Sequence, residues 1–297
     1  MTNLFLKDSC VAMVTPFAQD GSIDEAALQK FVEWQLQSGT NGLVPVGTTG
    51  ESPTLSHQEH ERVIDLAIEV AKNRVPVIAG CGSNNTDEAI SLTRFAKKAG
   101  ADAAMLVTPY YNKPTQAGLY AHFAAIAAAV DIPIIIYNIP GRSVVDMSVE
   151  TMARLHKDFP SIIGVKDASN KLERCMEVRL ALGDDFIQLT GEDPTVAAFL
   201  AQGGHGTISV AANIVPAISS QLHQAWHNKD YAQFASLRDS LFPLSQILFA
   251  FGSPTATCKA ALEMMGMMRA NTRLPIVPIE STERTLLEKT MQQAGLI

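Results

Sequence analysis

Short apolar, β-branched runs alternate with longer amphipathic stretches over the first two thirds of the chain. The runs cover residues 11–14, 42–46, 75–80, 103–107, 133–137, 162–166, 186–190 and 206–210; their starts lie 31, 33, 28, 30, 29, 24 and 20 residues apart. Strands covered on both faces read as unbroken apolar runs, and this spacing leaves room for a crossover helix after each. The intervening stretches carry helical signals. Residues 56–73 open with Ser56 and Glu59 in capping-box register, then set Val63, Leu66, Ala67 and Val70 along one face. Residues 85–99 open the same way, with Glu88 three residues after Asn85. Eight such units predict an α/β fold, a (β/α)8 TIM barrel, over residues 1–228. An open doubly wound sheet is the alternative. The even spacing disfavours it, and no Gly-x-Gly-x-x-Gly follows the first run.

Residues 229–297 predict a second domain, a C-terminal helical extension packed on the barrel. Helices are expected over 230–249, 254–267 and 280–294, with Leu241, Leu248, Phe249, Met264, Met265, Met267 and Met268 among the apolar positions. Met-rich runs of this kind read as ordinary core. Residues 195–228 hold no Asp, Glu, Lys or Arg, which raises the question of a membrane span. Gly203, Gly204, His205, Asn213 and Pro216 interrupt any apolar helix there, so the stretch reads as buried core.

Composition narrows the function classes. The chain of 297 residues is 47% hydrophobic and 18% charged, as a globular enzyme is, and its net charge of −7 disfavours nucleic acid or an anionic membrane as partner. The first ten residues lack a basic segment followed by an apolar one, so a cytoplasmic setting is expected. Cys10, Cys81, Cys175 and Cys258 have neither disulfide-framework nor metal spacing and read as reduced thiols. His57 and His60 would make half a metal site that nothing completes, so no metal and no cofactor are expected.

In a barrel the chemistry sits at the C-terminal strand ends. Lys166 closes the run 162–166, where an apolar mouth strips water from its ammonium and favours the neutral amine that can attack a carbonyl. A lysine whose head simply snorkels to water is the plain alternative. Tyr137 ends the neighbouring strand, about 4.8 Å away, where a phenol can move protons during imine formation. Gly47-Thr48-Thr49-Gly50-Glu51 offers hydroxyls and close backbone approach suited to a small carboxylate, and Arg142 a guanidinium fork for a second one. A tight turn and a surface arginine are the competing readings.

Taken together, Gly47-Thr48-Thr49-Gly50-Glu51, Tyr110-Tyr111-Asn112-Lys113-Pro114, Tyr137-Asn138-Ile139-Pro140-Gly141-Arg142 and Gly164-Val165-Lys166 resemble the pyruvate-dependent Schiff-base aldolase superfamily, that of dihydrodipicolinate synthase and N-acetylneuraminate lyase, from Val11 to the C-terminal helices. The dihydrodipicolinate synthase branch is the best match. The resemblance implies that Lys166 forms an imine with pyruvate, whose enamine attacks L-aspartate 4-semialdehyde in lysine and diaminopimelate biosynthesis. It implies a proton relay of Thr48, Tyr137 and Tyr111, with Tyr111 reaching in from a neighbouring subunit of a homotetramer. Thr49 would hold the pyruvate carboxylate and Arg142 that of the semialdehyde, with Gly191 and Ile208 lining the pocket.

The resemblance also implies a site for lysine as feedback inhibitor at Ser52, His57, His60, Asn84, Glu88 and Tyr110, although Pro53 departs from the alanine common there. Taken without the resemblance, Glu88 suits a helix first turn, and His57 and His60 a solvated helix start. Two further readings remain open: a related aldolase for a sugar acid or 4-hydroxy-2-oxoglutarate, kept alive by Glu192 and Asp193, and a non-catalytic barrel that binds oxo-acids.

Overall fold

The computed structural model describes residues 6–297. In chain order the elements are β1 (Asp8–Ala12), α1 (Glu25–Gln37), β2 (Gly42–Val44), α2 (His57–Ala71), β3 (Ile78–Gly80), α3 (Thr86–Ala99), β4 (Ala103–Val107), α4 (Gln116–Ala129), β5 (Ile134–Asn138), α5 (Pro140–Ser143) and α6 (Val149–Asp158). There follow β6 (Ile162–Asp167), α7 (Glu173–Leu182), β7 (Ile187–Thr190), α8 (Val196–Ala201), β8 (Gly206–Ser209), α9 (Pro216–His227), α10 (Tyr231–Phe249), α11 (Pro254–Met264) and α12 (Ser281–Gln293). All eight expected strands are present within a few residues of their predicted limits. They form one sheet in the order β2-β1-β8-β7-β6-β5-β4-β3, the order of a (β/α)8 barrel read from the β2–β3 seam, and the last helices form the expected C-terminal extension.

Residues 8–297 divide into two compact units. One holds Pro76–Ile208; the other holds Asp8–Val75 together with Ser209–Ile297. In the first, β3 to β7 pair in parallel, each with the next. Ile134, Ile135 and Ile136 are fully buried, and each such side chain contributes roughly 1.5–3 kcal/mol by leaving water. In the second, β1 pairs with β2 and the buried amide of Asn213 fastens the strand end: it accepts from the Val14 N–H at 3.1 Å and donates to the Ala12 carbonyl at 2.8 Å.

The β5–β6 pairing is irregular. Ile134 stands opposite Ile162, but Ile135 stands opposite Gly164, so Ile163 is an extra residue on β6. In unbroken register Tyr137 would face Val165. The inserted residue brings Lys166 across from Tyr137 instead.

Helix openings follow local chemistry. Ser56 and Glu59 form the expected capping box at α2. At α3 Asn85 caps as expected, accepting from the Asp87 N–H, but the Glu88 carboxylate accepts the Ser83 hydroxyl rather than completing a box. Among the described residues no helix is long and apolar enough to cross a membrane.

Candidate active site

Lys166 ends the buried run of β6 and is 6% exposed; Tyr137, opposite it on β5, is 5% exposed. The Lys166 Nζ lies 4.1 Å from the centroid of the Tyr137 ring, where the ring quadrupole attracts an ammonium. Sequence spacing placed the two residues on neighbouring strands; the extra residue in β6 makes them direct partners.

The next strand closes the space behind the amine. A Cβ on Gly191 would stand 3.1 Å from the Lys166 Cε and 3.0 Å from the Ala168 Cβ, so any side chain there presses on the lysine arm. The Gly191 N–H donates to the Asp167 carbonyl at 2.9 Å and holds this approach. Its φ does not demand glycine, so the Gly191→Ala chain should fold with Tm within about 2 °C of the parent. Its kcat should fall roughly tenfold, because the displaced group is the amine itself. An unchanged kcat by steady-state assay would remove Gly191 from the site.

The residues that directly follow the pair on the two strands carry a polar network, and sequence reasoning assigned none of it. The fully buried Asn138, next to Tyr137, donates through Nδ2 to Asp146 at 2.9 Å and to Asp167 at 3.3 Å, and accepts the Met147 N–H at 3.0 Å. Asp167, next to Lys166, takes the Arg174 Nε–H at 2.7 Å, and Lys171 donates to Asp146 at 3.0 Å. Burial opposes ionisation of Asp146, yet the Asn138 and Lys171 hydrogen bonds and the nearby Arg174 charge hold its carboxyl below the usual range. The available signal was position: Asn138 and Asp167 each directly follow a predicted site residue.

Glu192 follows Gly191 and is partly buried. Burial first, and then the neighbouring Asp193 charge, push its carboxyl above the usual range, with Lys166 and Arg142 pulling the other way. Arg142 is exposed on α5, just past the end of β5. Ile208 is fully buried within β8. Tyr111 is 89% exposed and has φ 71°, an uncommon backbone conformation for a bulky residue.

Of the six residues expected to bind lysine, three meet in this unit. The Asn84 Nδ2 donates to the Tyr110 carbonyl at 3.2 Å, and Glu88 accepts the Ser83 hydroxyl. Burial first, and then the Glu88 charge, raise the Tyr110 phenol above its usual value.

Thr48, Thr49, Ser52, His57 and His60 belong to the other unit. Thr49 is buried and Thr48 exposed. The loop that carries them turns back on itself, the Gly50 N–H donating to the Gly47 carbonyl at 3.1 Å and the Glu51 N–H to the Thr48 carbonyl at 3.2 Å. Pro53 occupies the first turn of a 3-10 segment, Ser52–Thr54, where its missing N–H costs nothing. His57 is exposed, but His60 is 3% exposed, which corrects the expectation of a solvated helix start for both histidines.

The model of the dihydrodipicolinate synthetase family matches residues 5–294. The chain is 58% identical over 291 residues to the 4-hydroxy-tetrahydrodipicolinate synthase of Rhodospirillum centenum, covering 98% of this chain and 99% of the relative. Among solved structures it is similar to the chloride-inhibited dihydrodipicolinate synthase of Acinetobacter baumannii complexed with pyruvate: TM-score 0.94, 45% identity, 98% of this chain and 100% of the other. The lysine-bound enzyme of Cyanidioschyzon merolae matches with TM-score 0.95 and 34% identity over 99% of each chain.

Proposed function

Since this chain belongs to the dihydrodipicolinate synthetase family, we propose that it condenses pyruvate with L-aspartate 4-semialdehyde through an imine on Lys166, the 4-hydroxy-tetrahydrodipicolinate synthase reaction of lysine and diaminopimelate biosynthesis. The observation that carries this reading is the buried Tyr137–Lys166 pair, with Gly191 leaving space for the lysine arm. The amine adds to the pyruvate carbonyl, and loss of water gives the imine. Loss of a methyl proton gives the enamine, whose carbon attacks the aldehyde. The amino group of the second substrate then displaces Lys166 and closes the ring, so the enzyme is regenerated without a cofactor.

Tyr137, Thr48 and Tyr111 are assigned to the proton relay. The exposure and backbone conformation of Tyr111 support its reaching a second copy in a homotetramer. Thr49 is assigned to the pyruvate carboxylate, Arg142 to that of the semialdehyde, and Gly191 and Ile208 to the pocket wall. Lysine is proposed as inhibitor at Ser52, His57, His60, Asn84, Glu88 and Tyr110; support comes from the Asn84–Tyr110 tie and from the lysine-bound relative. The setting is proposed to be cytoplasmic.

Supplying pyruvate with aspartate semialdehyde should consume both. Turnover of a sugar aldehyde or glyoxylate in place of the semialdehyde would overturn the substrate assignment. Initial rates should fall on titration with millimolar lysine, and flat rates would remove the inhibitor site.

A further inference from the structure

Glu51 closes the loop that carries Thr48 and Thr49, and none of the roles above uses it. It has φ 59°, left-handed backbone in a residue that does not favour it, and is 1% exposed. Its carboxylate accepts from the Lys259 Nζ on α11, and neither side chain has any solvent exposure. The second carboxylate oxygen accepts the Arg273 backbone N–H at 2.9 Å. Lys259 also donates to the Asn271 carbonyl at 2.9 Å, and burial pulls its ammonium down to about 8 although Glu51 opposes this.

Arg273 extends the grip. Its guanidinium reaches the Thr54 carbonyl at 2.8 Å, the Gly21 carbonyl at 2.6 Å and both oxygens of Glu59 at 2.6 and 2.8 Å. Lys259 and Arg273 both stand over the Phe17 ring, at 4.0 and 4.3 Å. The start of the loop is constrained as well. Val46, a β-branched residue, has φ 50°, the Thr15 hydroxyl donates to the Gly50 carbonyl at 2.7 Å, and a Cβ on Gly50 would meet the Met13 carbonyl at 3.0 Å. Uncommon backbone persists only where its surroundings over-determine it.

Stability alone does not call for a dry ion pair here, because apolar residues of the same volume generally serve as well or better. What an ion pair adds is direction. One ammonium, that of Lys259, and one backbone N–H, that of Arg273, fix from the C-terminal segment where Glu51 points, and the Glu51 N–H fixes the Thr48 carbonyl. We infer that Glu51, gripped by Lys259 and the Arg273 backbone, is a positioning residue that sets the Thr48 and Thr49 hydroxyls for the oxo-acid carboxylate. This rests on the roles given above to Thr48 and Thr49. The C-terminal segment thereby governs substrate affinity without supplying a reacting group.

The test uses the full chain as the isosteric neutral pair Glu51→Gln with Lys259→Met, as Glu51→Asp, and as Thr49→Val. The neutral pair leaves no unpaired buried charge, so its Tm should stay close to that of the parent. Both Glu51 variants should raise KM for pyruvate about tenfold or more, while borohydride still traps the pyruvate adduct on Lys166 at saturating pyruvate. Should the neutral pair fail to fold, Glu51→Asp alone decides, since it keeps the charge and only shortens the arm. A folded variant at position 51 with parental KM and kcat, or one altered only in Tm, overturns the proposal. Thr49→Val separates the two layers: unchanged KM there removes the Thr49 role itself, whereas a raised KM for Thr49→Val with unchanged Glu51 variants removes only the positioning.

Discussion

Lys166→Arg should lose at least about 10³-fold in kcat/KM and form no pyruvate adduct under borohydride. The substitution keeps a cation of similar length over the Tyr137 ring, so packing and the cation–π contact are largely retained. What disappears is the nucleophile, because a guanidinium does not give up its proton under working conditions and cannot form the imine. The parent should carry one pyruvate-derived group after reduction, on the peptide that contains Lys166. Circular dichroism and Tm distinguish lost chemistry from lost fold. Activity within about tenfold of the parent, or an adduct on another lysine, would end the covalent reading. Lys259 is the instructive control: it is the other buried lysine, and burial lowers its pKa to about 8, but its ammonium is committed to Glu51 and Asn271 and should take no pyruvate adduct.

The strands were legible because strands covered on both faces cannot hide their apolar runs, and the α2 capping box was legible because both partners lie within one turn. Lys166 and Tyr137 were legible because barrel topology puts strand ends at the mouth. Other features depended on information no local window holds. The Asn85 opening looked like that of Ser56, but Glu88 found a closer partner in Ser83. His60, by contrast, was open to local reading: it shares the buried face of α2 with Val63, Ile64, Ala67 and Ala71, three, four, seven and eleven positions on. Lys259 and Glu51 are separated by 208 positions and meet only once the chain is folded. The network of Asn138, Asp146, Asp167 and Arg174 likewise joins the ends of β5 and β6 to a loop and to α7. Short-range periodicity reports which face is covered, not which polar groups converge.

Gly164→Ala should cost both stability and activity although it touches no reacting atom. Gly164 follows the extra residue of β6, faces Ile187 on β7, and is the point from which the shifted register runs to Lys166. A Cβ there would lie 2.5 Å from the Ile187 carbonyl oxygen, 2.7 Å from the Ile187 Cβ and 3.2 Å from the Ile135 Cδ1. The first of these is backbone inside a paired strand, so it cannot swing aside as a side chain would. Ordinary overpacking costs about 1–3 kcal/mol, and a clash against backbone belongs at or above the top of that range. A chain of this length should then lose roughly 5–10 °C in Tm. The strand can relieve the clash by moving away from β7 or by giving up the inserted residue. The second route restores unbroken register and turns Val165 toward Tyr137 in place of Lys166, so kcat should fall by about 10²-fold or more even in the fraction that remains folded. Gly191→Ala, whose new methyl presses on the flexible arm of Lys166 and the methyl of Ala168 rather than on backbone, should lower kcat with little change in Tm. If Gly164→Ala instead kept both Tm and kcat, the shifted register would not be what brings Lys166 to Tyr137.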